Sequence, residues 1–215
     1  YAIDQKHQSV WIAQREGRAK DSNDRTQEAL IKMLSLGKKG DLLDSIRELN
    51  IAPVAISYEY DPCDSLKAYE FLQKSKNPDF KKSQRDDLVN MQTGIMGYKG
   101  IINYGFTPCI NDELAHLEGE TDRAIILQSV CQIIDRHIHL NYRIYPCNYI
   151  AYDMLYKENR FANEYTPEQK ENFEKYIQGQ IAKLGEFSIE DYQFMQEKML
   201  LMYSNPLKNQ LAAKG

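Results

Sequence analysis

Three short runs of β-branched and aromatic residues, Ser9–Ala13 (SVWIA), Ile51–Tyr60 (IAPVAISYEY) and Lys99–Phe106 (KGIINYGF), are separated by stretches with helical periodicity. Such runs suit buried strands, because branched and aromatic side chains pack on a pleated surface. Strands alternating with helices imply an α/β fold in which the three runs share one sheet. Pro53 lies near the start of its run, where a missing N–H is tolerated. Gly97 and Gly100 lead into the third run.

The helical stretches carry their own start and stop signals. Ser22, Asn23 and Asp24 offer N-caps for a helix from about Arg25 to Leu36, with Ala29, Leu30, Met33 and Leu34 as its apolar stripe and Gly37 and Gly40 as its end. Asp41 can cap a second, short helix through Leu42, Leu43, Ile46 and Leu49. Leu66 to Lys74 reads as another, followed by a polar connection, Asn77 to Asp87. Arg123 to Leu140 is long and amphipathic, and Thr166-Pro167 and Ser188 begin two more. Residues 1–160 are assigned to the α/β domain and 161–215 to a helical extension packed on it.

A chain of 215 residues can bury a sizeable core. Its formal net charge of -4 gives no general attraction to nucleic acid, so a bound anion must meet a local cluster of cations. Cys63, Cys109, Cys131 and Cys147 form no C-x-x-C pair, which speaks against a zinc site and for free thiols in a reducing compartment. No run reaches the roughly 18 apolar residues of a membrane span. The sequence opens at Tyr1, without Met, and is read as a fragment continuing upstream.

The segment WIAQREGRAKDSNDRT, residues 11–26, follows an apolar run with a burst of charge. Delivering Arg15, Glu16, Gly17, Arg18 and Lys20 into a loop ahead of a helix N-terminus sets cations beside orphan backbone N–H groups, which is an anion site. Gly17 permits a tight turn, Arg18 can grip a phosphate bidentately, and Lys20 supplies a point charge. A solvated loop in which Glu16, Asp21 and Asp24 neutralise the cations accounts for the same composition.

Trp11-Ile12-Ala13-Gln14-Arg15-Glu16-Gly17-Arg18-Ala19-Lys20 resembles the glycerol-phosphate-binding segment of the glycerolipid acyltransferase superfamily, the glycerol-3-phosphate and lysophosphatidate acyltransferases. Soluble plastid-type members carry W-I-A-P-S-G-G-R-D-R there and bacterial lysophosphatidate enzymes F-P-E-G-T-R-S. Trp11, Ile12, Ala13, Gly17 and Arg18 match the first form, Lys20 stands at its second phosphate-binding Arg, and Glu16-Gly17 match the Glu-Gly of the other. Ala52-Pro53-Val54-Ala55-Ile56 is similar to the later V-P-V-A-I block.

The resemblance implies a mixed β-sheet with flanking helices. It implies acyl transfer from a CoA or acyl-carrier-protein thioester to a hydroxyl of a glycerol-phosphate or lysolipid acceptor, without a metal or other cofactor. Arg18, Lys20 and Arg15 would hold the phosphate, with Glu16 and Gly17 shaping the loop or touching the glycerol. The family's His-x-x-x-x-Asp motif precedes both blocks. No His here has Asp five positions later, since Ile12 follows His7, Thr121 follows His116, Tyr142 follows His137 and Ile144 follows His139. The Gly-x-x-Phe-Ile-x-Arg block is absent too. The catalytic His and Asp are therefore expected upstream, and the expected place of work is the cytoplasm, with peripheral membrane contact. A non-catalytic module binding a phospholipid or phosphometabolite through the same loop is the alternative.

Four other features have two readings each. His137 and His139 point to different helix faces, which favours a helix-end or core role over a shared metal. Tyr142, Tyr145, Tyr149 and Tyr152 could line an acyl channel or pack in a core. Lys81, Lys82 and Arg85 could dock a carrier protein or sit in a solvated loop. Met195, Met199, Leu200, Leu201 and Met202 could touch membrane or pack a terminal helix.

Overall fold

The computed structural model describes every residue except Tyr1, Asp4, Arg18, Gly37, Lys38 and Lys39. Its elements are α1 (Glu28–Ser35), α2 (Leu42–Arg47), β1 (Val54–Tyr58), α3 (Asp64–Lys76), α4 (Gln84–Met96), β2 (Ile102–Phe106), a 3-10 helix (Ile110–Leu117), α5 (Arg123–Leu140), α6 (Pro146–Tyr156), α7 (Pro167–Ala182) and α8 (Ile189–Lys214). Of the described residues 57% are helical, and among them is one small antiparallel sheet of two strands, so the fold is α/β in the broad sense.

Two of the three expected strands pair and the third does not. The ladder extends past β1 and β2: Thr107 N–H donates to the Pro53 carbonyl (3.2 Å) at one end and Glu59 N–H to the Ile101 carbonyl (2.9 Å) at the other. The sheet is thus antiparallel rather than mixed. Ser9–Ala13 forms no strand, and Val10, Trp11 and Ile12 are exposed. Strand propensity measures fit to a half-buried pleated surface, and this run has no neighbouring strand among the described residues to provide one.

The chain divides into two compact units. Unit 1 comprises Tyr1–Arg18, Asp24–Ala55 and Tyr104–Asn141. Its centre is α5, which runs over the expected residues because Asp122 Oδ1 accepts the Ala124 N–H (2.8 Å) and Ile126, Leu127, Val130, Ile133 and Ile134 fall on one buried face. Against α5 pack α1, α2 and the 3-10 helix, with Ile31, Ile46 and Leu114 buried. α1 starts at Glu28, later than expected, because Thr26 is tied to α5 and Gln27 becomes the N-cap. It ends at Ser35, and Gly37, expected to stop it, lies outside the described residues.

Unit 2 comprises Ala19–Asn23, Ile56–Asn103 and Tyr142–Gly215. Its core is built on α8, whose Met195, Met199 and Tyr203 are buried with Phe173 and Ile177 of α7 and Ile150 of α6. The methionines of α8 are therefore core residues. The expected caps hold: Thr166 accepts the Gln169 N–H (3.1 Å) with Pro167 next to it, and Ser188 accepts the Asp191 N–H (3.2 Å). The tyrosines around Pro146 also pack, with Tyr152 edge-on to Phe161 at 5.2 Å between ring centroids. Within the expected polar connection, α4 begins at Gln84, capped by a reciprocal pair in which Ser83 Oγ accepts the Asp86 N–H (3.2 Å) and Asp86 Oδ2 accepts the Ser83 N–H (2.9 Å).

Candidate functional site

The charged loop is held in its unit 1 part by α1 and α5. Gln27 N–H donates to the Gln14 carbonyl (3.0 Å), and Glu16 N–H donates to Gln27 Oε1 (2.7 Å). Gly17 lies at φ +71° with open space where a Cβ would stand, the left-handed turn that glycine makes without strain. Farther on, Thr26 donates from both N–H (2.8 Å) and Oγ1 (2.6 Å) to Asp135 Oδ1, and His139 Nε2 donates to the Asp24 carbonyl (3.2 Å). Asp135 and His139 are one turn apart on α5, so one helix face pins this end of the loop.

Arg15 is half-buried and its Nε is closed off from solvent with no acceptor among the described residues; Oε1 of Gln14 has no donor either. A shielded donor left without a partner costs about 1–3 kcal/mol, a deficit that a bound anion removes. Glu16 and Gly17 are exposed. Arg18 lies outside the described residues.

Lys20 belongs to the unit 2 part, and it is not a free cation. Its ammonium pairs with Glu70 Oε1, which also meets Lys74 Nζ at 3.3 Å, while Glu70 Oε2 meets Lys82 Nζ at 3.0 Å. Lys82 in turn reaches Asp87 at 3.4 Å. Burial pushes the Glu70 carboxyl up, but hydrogen bonds from Lys20 and Lys82 outweigh it and hold the group below its ordinary range. Burial and the neighbouring Lys74 lower the Lys20 ammonium despite its bond to Glu70. Three ammonium groups therefore crowd one buried carboxylate. Nearby, the Asp21 carbonyl accepts from Asn205 Nδ2 (2.7 Å), and Asn23 Oδ1 accepts from Asn209 Nδ2 (3.2 Å).

The sequence signals missed a second buried acid. Asp64, the first residue of α3, is completely buried, and its Oδ2 accepts from the Tyr176 and Tyr203 hydroxyls, each at 2.7 Å, while Oδ1 accepts the Ser65 N–H (2.6 Å). Desolvation raises its carboxyl to about 6 against these three hydrogen bonds, which favour the ionised form. Such a value suits proton transfer, but with no exposed surface Asp64 meets no substrate and acts as a packing node. The signal that could have found it is the excess of tyrosine, 15 residues against 7 Phe and 1 Trp, since a buried hydroxyl needs a partner.

The histidines at the end of α5 have separate partners: His137 Nε2 meets Glu113 Oε1, and His139 meets the Asp24 carbonyl. No group of three or more metal-ligating side chains occurs among the described residues. Lys82 is engaged, whereas Lys81 and Arg85 are exposed. No described helix is long and apolar enough to cross a membrane. The chain matches no family model, no curated protein and no solved structure.

Proposed function

We propose that the chain takes part in transferring an acyl group from a CoA or acyl-carrier-protein thioester to a hydroxyl of a glycerol-phosphate-type acceptor, with the Arg15–Lys20 loop as the cradle for the acceptor's phosphate. The observation that carries this reading is the shielded, unpartnered Nε–H of Arg15 beside the left-handed turn at Gly17, within the block that resembles the family's phosphate-binding segment. By that resemblance Arg18 and Lys20 join Arg15 on the phosphate. Within its own unit Lys20 comes from a cluster in which positive charge exceeds negative, which supports its part in holding an anion.

In the reaction a histidine takes the proton of the acceptor hydroxyl, the oxygen attacks the thioester carbonyl, and the thiolate leaves as the new ester forms. The family pattern places that histidine and its aspartate N-terminal to the Trp11 block. The residues of this chain contribute binding and orientation, which fix the hydroxyl at the reacting carbon. The setting is the cytoplasm, and the product lipid passes to a bilayer at which the protein works peripherally.

The test is titration with glycerol-3-phosphate, lysophosphatidate and unphosphorylated glycerol. The phosphorylated acceptors bind and glycerol does not. Replacing Arg15 by Ala removes a charge-assisted bond and weakens binding by about 10- to 150-fold, equivalent to roughly 1.5–3 kcal/mol. Equal affinity in wild type and Arg15→Ala, or no binding of either phosphorylated acceptor, refutes the cradle. Binding without transfer by the full-length protein assigns the loop to a non-catalytic phospholipid- or phosphometabolite-binding module.

A further inference from the structure

The C-terminal part of α8 buries amides where its middle buries methionines. Met195, Met199 and Met202 are buried, and so are Asn205, Asn209 and Gln210. A buried amide is costly unless its polar groups are met, whereas an apolar side chain fills the same space without that cost. What an amide adds is a fixed partner. Asn205 Nδ2 donates to the Asp21 carbonyl (2.7 Å) and Asn209 Nδ2 to Asn23 Oδ1 (3.2 Å), while Gln210 Nε2 donates to the Tyr142 carbonyl (2.8 Å). Asn205 and Asn209 are one helical turn apart, so both reach the same short piece of chain.

That piece, Ala19–Asn23, belongs to unit 2 and has a strained backbone. Ser22 stands at φ +55°, the left-handed region that a residue with a Cβ adopts only at a cost. Across it the Asn23 N–H donates to Asp21 Oδ1 (3.1 Å), closing a turn with Ser22 at its centre. Such a conformation persists where its surroundings over-determine it, and it is a mark of sites at which a side chain must be held in place. The two asparagine bonds fall on the residues immediately before and after Ser22. Just ahead of the turn Ala19 is buried and the Lys20 ammonium pairs with Glu70 of α3. Lys20 is thus held twice within unit 2, its backbone by α8 through the turn and its side chain by α3.

We propose that Asn205 and Asn209 are positioning residues for Lys20, fixing the strained turn at Ser22 so that the ammonium stays at Glu70 and is ready to meet the phosphate of a glycerol-phosphate-type acceptor. Neither asparagine touches the acceptor; each acts through Lys20. The part that concerns the acceptor rests on the phosphate reading of the Arg15–Lys20 loop, whereas the placement of Lys20 is tested without any ligand.

Two measurements decide it, made on the wild-type chain, Asn205→Ala, Asn209→Ala and, for comparison, Gln210→Ala, which removes a buried amide of the same helix whose bond goes to Tyr142 instead of the turn. The first is an NMR titration of the lysine side chains without ligand, the Lys20 signal being identified by its loss in Lys20→Arg. In wild type, burial and the neighbouring Lys74 hold the Lys20 ammonium below its ordinary range despite the bond to Glu70. Asn205→Ala releases the turn, exposes Lys20 and moves its titration to higher pH, while Gln210→Ala leaves it in place. The second is titration with glycerol-3-phosphate. Asn205→Ala weakens binding by about 3- to 10-fold, the effect of one lost hydrogen bond, and Gln210→Ala leaves affinity unchanged although it lowers the melting temperature as the asparagine changes do. Asn209→Ala, which removes the longer bond, gives both effects at smaller size and keeps the test where Asn205→Ala does not fold. The proposal is overturned by a Lys20 titration that the asparagine changes leave unaltered, by one that Gln210→Ala shifts as far, or by unchanged affinity in asparagine variants of a chain that binds glycerol-3-phosphate. Absence of binding by wild type refutes the phosphate reading instead, and the ligand-free titration still decides what holds Lys20.

Discussion

Replacing Asp64 by Asn isolates the electrostatic cost of one buried carboxyl. Asp64 has no exposed surface, and its pKa stands at about 6 against an ordinary 3.8. The fold therefore favours the protonated acid. Below about pH 4 the group is protonated in both folded and unfolded chains and adds nothing. Between about 4 and 6 the folded chain holds more protons than the unfolded one, so stability falls as pH rises. Above about 6 the penalty is complete; a shift of about two pKa units corresponds to roughly 3 kcal/mol. Asparagine cannot ionise and is close in shape, and the Tyr176 and Tyr203 hydroxyls can turn to accept from its amide. The quantity to follow is the difference in urea-unfolding free energy between wild type and Asp64→Asn, measured from pH 4 to 7 so that all other titrating groups cancel. It moves against wild type by about 2–2.5 kcal/mol across the window, the rest of the penalty developing below pH 4. Parallel profiles for the two proteins refute the reasoning and put Asp64 ionised at no cost throughout.

Three further changes probe unit 2. Tyr203→Phe removes a donor to Asp64 and the acceptor of the Asp61 N–H (3.1 Å), so urea unfolding shows a loss of about 1.5–3 kcal/mol at neutral pH and a smaller loss where Asp64 is protonated. Gly97→Ala forces a methyl to within 2.5 Å of Pro62 Cβ and of the Thr93 carbonyl oxygen, costing about 1–3 kcal/mol and loosening α4, which amide exchange detects. Lys20→Ala leaves Glu70 with Lys74 and Lys82 and costs at most about 1 kcal/mol, whereas Glu70→Gln leaves three lysines without their carboxylate and costs more; thermal melts that rank them the other way reject the cluster as described.

What the sequence disclosed and what it hid divide along the distance over which each signal acts. The starts of α5, α7 and α8 were legible because Asp122, Thr166 with Pro167, and Ser188 each sit beside the helix they cap. The pairing runs around β1 and β2 were legible as apolar stretches, but SVWIA shows that such a stretch is a strand only where another lies alongside it. α4 escaped notice because amphipathicity is ordinarily read with the apolar side inward, and here Asn90, Thr93 and Gly94 take that place. Glu70 could not be found at all, since the lysines that identify it come from positions 20, 74 and 82.

That gathering of lysines changes the meaning of the charged loop. Had Lys20 faced water, its charge would have been dispersed by solvent and counterions, and the loop could have been a solvated surface feature. Instead it is half-buried beside Glu70, whose carboxyl is held ionised by more ammonium groups than it can neutralise. Asp87 shares part of the Lys82 charge at 3.4 Å, and the remainder has no other acid within salt-bridge reach among the described residues. Partial burial keeps solvent from screening that remainder fully, so the excess persists as a local positive potential on a chain of net negative charge. Arg15 shows the same imbalance by another route, as a shielded N–H without an acceptor among the described residues. Arg15 in one unit and Lys20 in the other each keep a requirement that an anion would meet, so the proposed role of the loop draws on how each cation is housed as well as on the motif that contains both.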